Sequence, residues 1–257
     1  MSQPILIERE QGLLTLRLNR ADKMNALTRE MYAALADALE AAEHDRGVRV
    51  VLIAGNAECF TAGNDIHDFL QYPPSGQDSP VFRFMRALME FSKPVLAAVA
   101  GPAVGIGTTL LLHCDQVFVA RGAKLKMPFV NLGLCPEFGS SFLVPRLLGH
   151  VRAASLLMRG DGFSGEQAVA FGIANEALAD GAAALERARE VAQALQALPP
   201  AALALSKRLL KAPYMDELRK VVAEEGELFV QRLSSPEALE ALSAFTQRRQ
   251  PDFSRLA

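Results

Sequence analysis

Cysteine, clustered histidine and net charge are all scarce in this chain, and each shortage removes a class of protein. Its three cysteines, Cys59, Cys114 and Cys135, lie far apart. An odd number without paired spacing argues against a disulfide framework and fits a reducing compartment. A cytoplasmic location is therefore expected. No cysteine spacing suits a metal, and the four histidines (His44, His67, His113, His150) include no pair at helical spacing. No metal site is expected, and each histidine is read as structural or superficial. The formal net charge is -2 without a long basic run, so there is no electrostatic footprint for nucleic acid. The N-terminal residues lack a basic segment followed by a long apolar one, and no signal peptide is expected. The C-terminal Ser254-Arg-Leu-Ala257 comes near a peroxisomal tripeptide, but the extra alanine sets it apart. An unbroken membrane span is missing too. Val95 to Leu112 carries no charge, yet Pro102, Gly101, Gly105 and Gly107 interrupt it. It reads as a buried strand, a glycine-rich turn and a buried helix.

What is present is an ordinary globular mixture of 50% hydrophobic and 22% charged residues in 257, enough for a large core. Ile5–Glu8 and the alternating Leu14, Leu16, Leu18, with Gln11-Gly12 between them, predict a hairpin. Thr28 can cap a helix over Arg29–Glu43, with Met31, Leu35, Leu39 and Ala42 as its apolar stripe. Val48–Ala54, Pro94–Val99 and Gln116–Ala120 read as buried strands. Helices are expected over Phe82–Phe91, Thr108–His113, Val151–Arg159 and Ser164–Phe171, the last with Ser164 and Gln167 as a capping box. Gln71–Ser79 is rich in Pro, Gly and Ser and is expected as a surface loop. From Gly181 on, the pattern is helical, broken at Pro199-Pro200, Pro213 and Ser235-Pro236. Strands alternating with helices, then helices alone, imply an α/β fold with a stacked parallel-sheet core and a helical C-terminal part. Such apolar helices often pack on another subunit, so an oligomer is expected.

Two loops and one acid attract chemical interest. Thr61-Ala-Gly-Asn-Asp65 and Ala103-Val-Gly-Ile-Gly107 each follow a strand and open a helix. Backbone N–H groups at such places lack helical partners and attract a negative oxygen. Side by side, the two loops would form an oxyanion hole. On spacing alone, Asp65 is equally a helix cap and the glycines equally turns. Gly105-x-Gly107 is no dinucleotide fingerprint, since Leu110 stands where a third glycine is needed. Glu137 lies among Phe129, Val130, Leu132, Leu134, Cys135 and Phe138, between Pro136 and Gly139. Apolar surroundings raise a carboxyl pKa, which suits an acid that takes and returns a proton. The other reading is an acid that caps the helix beginning near Ser140, or points to water. Ser140-Ser141 lacks the pattern of a nucleophile elbow, and Cys135 has no visible base.

The stretches Phe60–Ile66, Ala98–Gly107, Cys114-Asp115, Gly160–Gly172 and Leu198–Lys207 together resemble the enoyl-CoA hydratase/isomerase (crotonase) superfamily over nearly the whole chain. The resemblance implies a crotonase-like stacked beta-beta-alpha spiral core with a helical C-terminal trimerisation region. It divides the chain into an acyl-CoA-binding core over 1–195 and a helical region over 196–257. It implies an acyl-CoA thioester substrate, a homotrimer or hexamer, and no cofactor beyond the coenzyme A of the substrate. The thioester oxygen would lie between the N–H groups of Ala62 and Ile106. Lys23, Gly63, Asn64, Asp65, Ile66 and Gly105 would border the CoA, although Lys23 is equally a solvated lysine. Asp115 resembles a structural acid of the family.

In the hydratases of this superfamily two glutamates activate a water. Their positions fall at Thr109 and Phe129, neither of which is a base. The stretch Pro128–Ser141 instead resembles the delta-3,delta-2-enoyl-CoA isomerases of the peroxisomal type, which carry one glutamate at the position of Glu137. Such an enzyme would move a double bond in fatty acid degradation. The alternatives are a hydratase or other crotonase-type lyase, and a non-catalytic CoA-binding or trimeric interaction module. The acyl chain length stays open.

Overall fold

Strand pairing begins at the N-terminus. In the computed structural model, which describes residues 3–74, 76, 78–247, 249–254 and 256, β1 (Ile5–Glu10) and β2 (Leu13–Leu18) form the expected antiparallel hairpin. The Thr28 hydroxyl accepts from the Met31 N–H and starts α1 (Arg29–His44), whose expected stripe is buried. β3 (Val50–Ala54) follows, then α2 (Ile66–Gln71) and α3 (Pro80–Glu90). Of the Gln71–Ser79 stretch, Gln71 closes α2, while Ser75 and Gln77 lie outside the described residues. Arg255 and Ala257 of the C-terminal motif lie outside them as well.

The next strands arrive in pairs. β4 (Val95–Val99) leads to β5 (Ala103–Val104) and α4 (Ile106–Thr109), which tightens into a 3₁₀ turn over Leu110–His113. β6 (Gln116–Ala120) leads to β7 (Lys124–Lys126), α5 (Ser140–Leu148) and α6 (His150–Met158). β8 (Phe163–Ser164), α7 (Gly165–Ala170, with the expected capping box) and β9 (Glu176–Leu178) complete the pattern. One strand of each pair joins a six-stranded sheet ordered β1-β2-β3-β4-β6-β9. The other joins a three-stranded sheet ordered β5-β7-β8. Beyond the first hairpin the large sheet is parallel. This alternation is the stacked beta-beta-alpha course the resemblance implied. The short strands β5, β7, β8 and β9 were not anticipated: two or three residues show no periodicity, and tertiary pairing alone makes them strands.

The period of two along a strand assigns each face of the large sheet. Val51 and Ile53 join the main core with α1 and α3, whereas Val50 and Leu52 face α8 (Gly181–Gln196). Ala184, Ala188 and Ala192 let that helix lie close on Leu96 and Phe118. The tail continues as α9 (Pro200–Lys211), α10 (Met215–Leu233) and α11 (Pro236–Thr246). Asp115 is structural, as expected. Its Oδ2 accepts from the Val95 N–H at 2.7 Å and from Lys207 Nζ at 2.7 Å, tying α9 to the start of β4. α10 sends Leu218 and Phe229 into the main core. Among the described residues no helix is long and apolar enough to cross a membrane.

Candidate active site

The two glycine loops lie side by side, held by their own backbones. Thr61 N–H donates to Pro102 O at 2.9 Å and Val104 N–H to Thr61 O at 3.0 Å. Gly63 is required there: its φ is +91°, and a Cβ would meet Val104 O at 2.7 Å. Both loops border a cleft of about 1080 Å³. The residues expected at the thioester oxygen, Ala62 and Ile106, line it. So do Lys23, Gly63, Asn64, Asp65, Ile66 and Gly105.

The two expected oxyanion donors differ in state. The Ile106 N–H, at the first turn of α4, has no hydrogen-bond partner assigned among the described residues. The Ala62 N–H donates to Met24 O at 2.9 Å. Met24 and Asn25 both have positive φ, +50° and +54°. Buried Asn25 secures this turn, its Nδ2 donating to Cys59 O and Phe60 O at 3.1 Å each. Asp65 does act as a helix cap, accepting from the His67 and Asp68 N–H groups, and pairs with Arg20 at 2.6 Å. Asn64 accepts a hydrogen bond from the hydroxyl of buried Tyr32.

Glu137 is 4% exposed and its Oε1 has no partner. Its pKa is pushed up to about 8, first by burial and then by the nearby charge of Glu225. The Thr109 hydroxyl faces the same carboxyl and pulls the other way. Even so, Thr109 Oγ1 and Glu137 Oε1 both lack a formed hydrogen bond, so this is proximity. The turn is strained, with Phe138 at φ +56° and Gly139 at +73°. His113 holds it, its Nε2 donating to Phe138 O at 2.7 Å while the rings stack at 3.8 Å. Burial drives the His113 pKa down to about 3, so the ring is neutral. The cap reading for Glu137 fails. The first turn of α5 is capped by Glu225, which accepts from the Gly139 N–H at 2.6 Å and the Ser141 N–H at 2.9 Å. The Cys135 thiol is pushed up to about 11 by burial and by Glu225, which disfavours the reactive thiolate.

Glu137 does not line the large cleft. It borders a void of only about 10 Å³, and Phe69 and Phe229 line both spaces. Their rings meet edge to face at 6.0 Å, so an aromatic pair stands between Glu137 and the cleft. Phe129 meets Phe229 at 6.5 Å on the cleft side. Sequence reasoning overlooked Phe69, Glu225 and Phe229. One signal was available: Leu218, Val222, Glu225 and Phe229 share a helical face, so an acid stands in an apolar stripe. Among the described residues no cluster of three His, Cys, Asp or Glu could hold a metal ion.

This geometry, two backbone loops on a cleft with a buried, unpaired acid behind them on stacked sheets, has counterparts among known proteins. Residues 8–255 match the enoyl-CoA hydratase/isomerase family, and the chain belongs to that family of enzymes, with its crotonase fold. It is 36% identical to 1,2-epoxyphenylacetyl-CoA isomerase of Escherichia coli, across 98% of this chain and 99% of that one. It is 31% identical to human enoyl-CoA delta isomerase 2, across 96% of this chain and 64% of that one. It is also 32% identical to 2,3-dehydroadipyl-CoA hydratase of Escherichia coli, across 97% and 98%. Among solved structures, Pseudomonas aeruginosa OdaA superposes with a TM-score of 0.95 at 66% identity, covering 96% of this chain and all of that one. The relatives' names include both isomerases and a hydratase.

Proposed function

We propose that the protein is an acyl-CoA isomerase that moves a double bond of an enoyl-CoA from the 3 to the 2 position. One observation carries this reading: of the two buried carboxylates, Glu225 is taken up by the Gly139 and Ser141 N–H groups, whereas Glu137, with a pKa pushed up to about 8, has an unpaired oxygen and stands beside a hydroxyl, Thr109, where a hydratase needs another carboxylate. Hydration needs one group for water and help with proton delivery, whereas a 1,3-proton transfer needs one base. Glu137 takes the alpha proton, and the negative charge of the dienolate gathers on the thioester oxygen. Ile106 N–H and, once Met24 O releases it, Ala62 N–H stabilise that oxygen, each worth about 3–4 kcal/mol. Glu137 then returns the proton to the gamma carbon. Phe69 and Phe229 part to admit the acyl chain, and their rings keep the intermediate dry. The cleft holds the CoA, with Lys23 at its rim.

A hydratase reading retains one supporting observation. Thr109 Oγ1 and Glu137 Oε1 are both buried and unpaired, and a shared water would satisfy them. Comparing 3-enoyl- and 2-enoyl-CoA substrates of several chain lengths separates the two. The isomerase reading expects turnover of the 3-enoyl series and a loss of roughly 10²- to 10⁴-fold in Glu137→Gln. A folded Glu137→Gln protein that isomerises at the wild-type rate overturns it.

A further inference from the structure

We propose that Glu225, reaching from α10 into the first turn of α5, is a positioning residue for Glu137. It fixes the Pro136–Ser141 turn and stands as an anion beside the base, so that the proton of this acid pair resides on Glu137. The inference rests on Glu137 being the base.

The surroundings of the two acids differ. Glu225 is 6% exposed, and both of its oxygens accept: Oε2 from the Gly139 N–H and Oε1 from the Ser141 N–H. A protonated carboxyl would turn one oxygen into a donor and lose one of these bonds. The positive end of α5 favours the same anion. Glu137 has no such bonds at Oε1 and lies among Phe69, Phe82, Phe138 and Phe229. Burial raises the pKa of both acids; at Glu225 hydrogen bonds from Ser141 and Gly139 oppose it, whereas at Glu137 only the Thr109 hydroxyl does and the charge of Glu225 adds to the rise. Two carboxyls whose environments differ in this way ionise apart, and the less solvated one keeps the proton.

The geometry of α10 agrees. Leu218, two turns before Glu225, packs so tightly that a Cβ on Gly139 would lie 2.5 Å from its Cδ1. α10 therefore grips the turn at Gly139 by packing and by charge. The other groups around the pair do not replace Glu225. α1 brings Tyr32, whose pKa is raised by burial and by Glu137 itself. α4 brings Thr109, the following 3₁₀ turn brings neutral His113, and α3 brings apolar Val81, Phe82 and Met85. Cys135 and Glu224 flank Glu225, the first a neutral thiol and the second a like charge.

The test is a ¹³C NMR titration of the side-chain carboxyls, with Glu137→Gln to assign the Glu137 signal. It runs beside the pH profile of kcat/KM on a 3-enoyl-CoA. In the wild type, Glu225 is expected to titrate below Glu137. In Glu225→Gln, the Glu137 midpoint should fall by roughly one pH unit or more, and the acid limb of the profile should move with it. Glu225→Asp keeps the charge but reaches less far, so kcat should fall while the limb stays. A merely structural Glu225 would lower stability and kcat at every pH without moving the limb. The proposal is overturned by an unmoved Glu137 midpoint in folded Glu225→Gln. If that variant does not fold, a wild-type titration with Glu137 ionising first overturns it. Shifted midpoints without isomerase activity would uphold the pairing and remove the reaction assigned to Glu137. An unmoved midpoint with activity intact would remove the pairing alone.

Discussion

Glu137 is held in the folded chain with a pKa of about 8, against 4.5 for an ordinary glutamate, chiefly because it is buried. Between those values the folded state keeps a proton that the unfolded state has released. Stability is therefore fully present below pH 4.5 and declines as pH rises through 8, by at most about 1.4 kcal/mol per unit. Glu137→Gln keeps the shape and cannot ionise, so it escapes this decline. It should be more stable than the wild type at pH 8, by roughly 1–4 kcal/mol, with the difference nearly gone at pH 5. Urea unfolding at the two pH values measures this, and a less stable variant at pH 8 would contradict it. His113, lowered to about 3 by burial, destabilises the fold as pH drops below 6.5, but it is common to both proteins and cancels in the comparison. The same burial that would suit Glu137 to the proposed proton transfer is its cost to the fold.

At the scale of elements, the cleft wall depends on how α11 meets the turn before Glu137. Gly133 has φ +68°, and a Cβ there would lie 2.6 Å from Ala238 N at the start of α11. Its carbonyl accepts from Arg232 Nε at 2.9 Å. Gly133→Ala should push α11, with its cleft residues Leu242 and Phe245, away from the turn. We predict a stability loss of about 1–3 kcal/mol and a raised KM with kcat little changed, the pattern of weakened binding to substrate and transition state alike. Steady-state kinetics with thermal unfolding checks it, and an unaltered KM would count against it. Elements of this length were legible in the sequence: the α1 stripe, the Ser164 capping box and the proline breaks each name their helix from local chemistry. The two loops drew attention by standing between a strand and a helix, but spacing left them and Glu137 open, and only the family resemblance gave them roles. The engagement of Ala62 N–H by Met24 O was not, because it depends on two positive φ angles in a turn thirty-odd residues away. The aromatic layer of Phe69 and Phe229 joins α2 to α10, a contact that no local period encodes. The apolar stripe around Glu225 could mark it as buried, but not its partners, which lie 84 and 86 positions away in the chain.

For the molecule as a whole, α9 is the element whose position raises a question. Its buried residue is Lys207, held by Asp115 and by Lys93 O, while Leu205, Leu209 and Leu210 are 46%, 61% and 76% exposed. An amphipathic helix normally turns its leucines inward. Here an ion pair pins the polar side to the core and directs the leucines outward. Val151 and Met158 of α6 are also exposed, at 82% and 68%. Exposed apolar side chains on this scale suit a protein–protein contact. We propose that the chain associates with copies of itself through the α9 surface, the trimer or hexamer being what the family resemblance implies. Size-exclusion chromatography with light scattering should give three or six times the 27.8 kDa chain mass. Leu209→Glu with Leu210→Glu places two charges where apolar contact is required and should shift that mass toward the single chain. Both positions are far from Glu137 in sequence, and the active-site residues stay unaltered, so a dissociated variant also reveals whether the cleft works alone. A wild-type protein that elutes as a monomer at micromolar concentration would refute the assembly and leave the exposed leucines without a role.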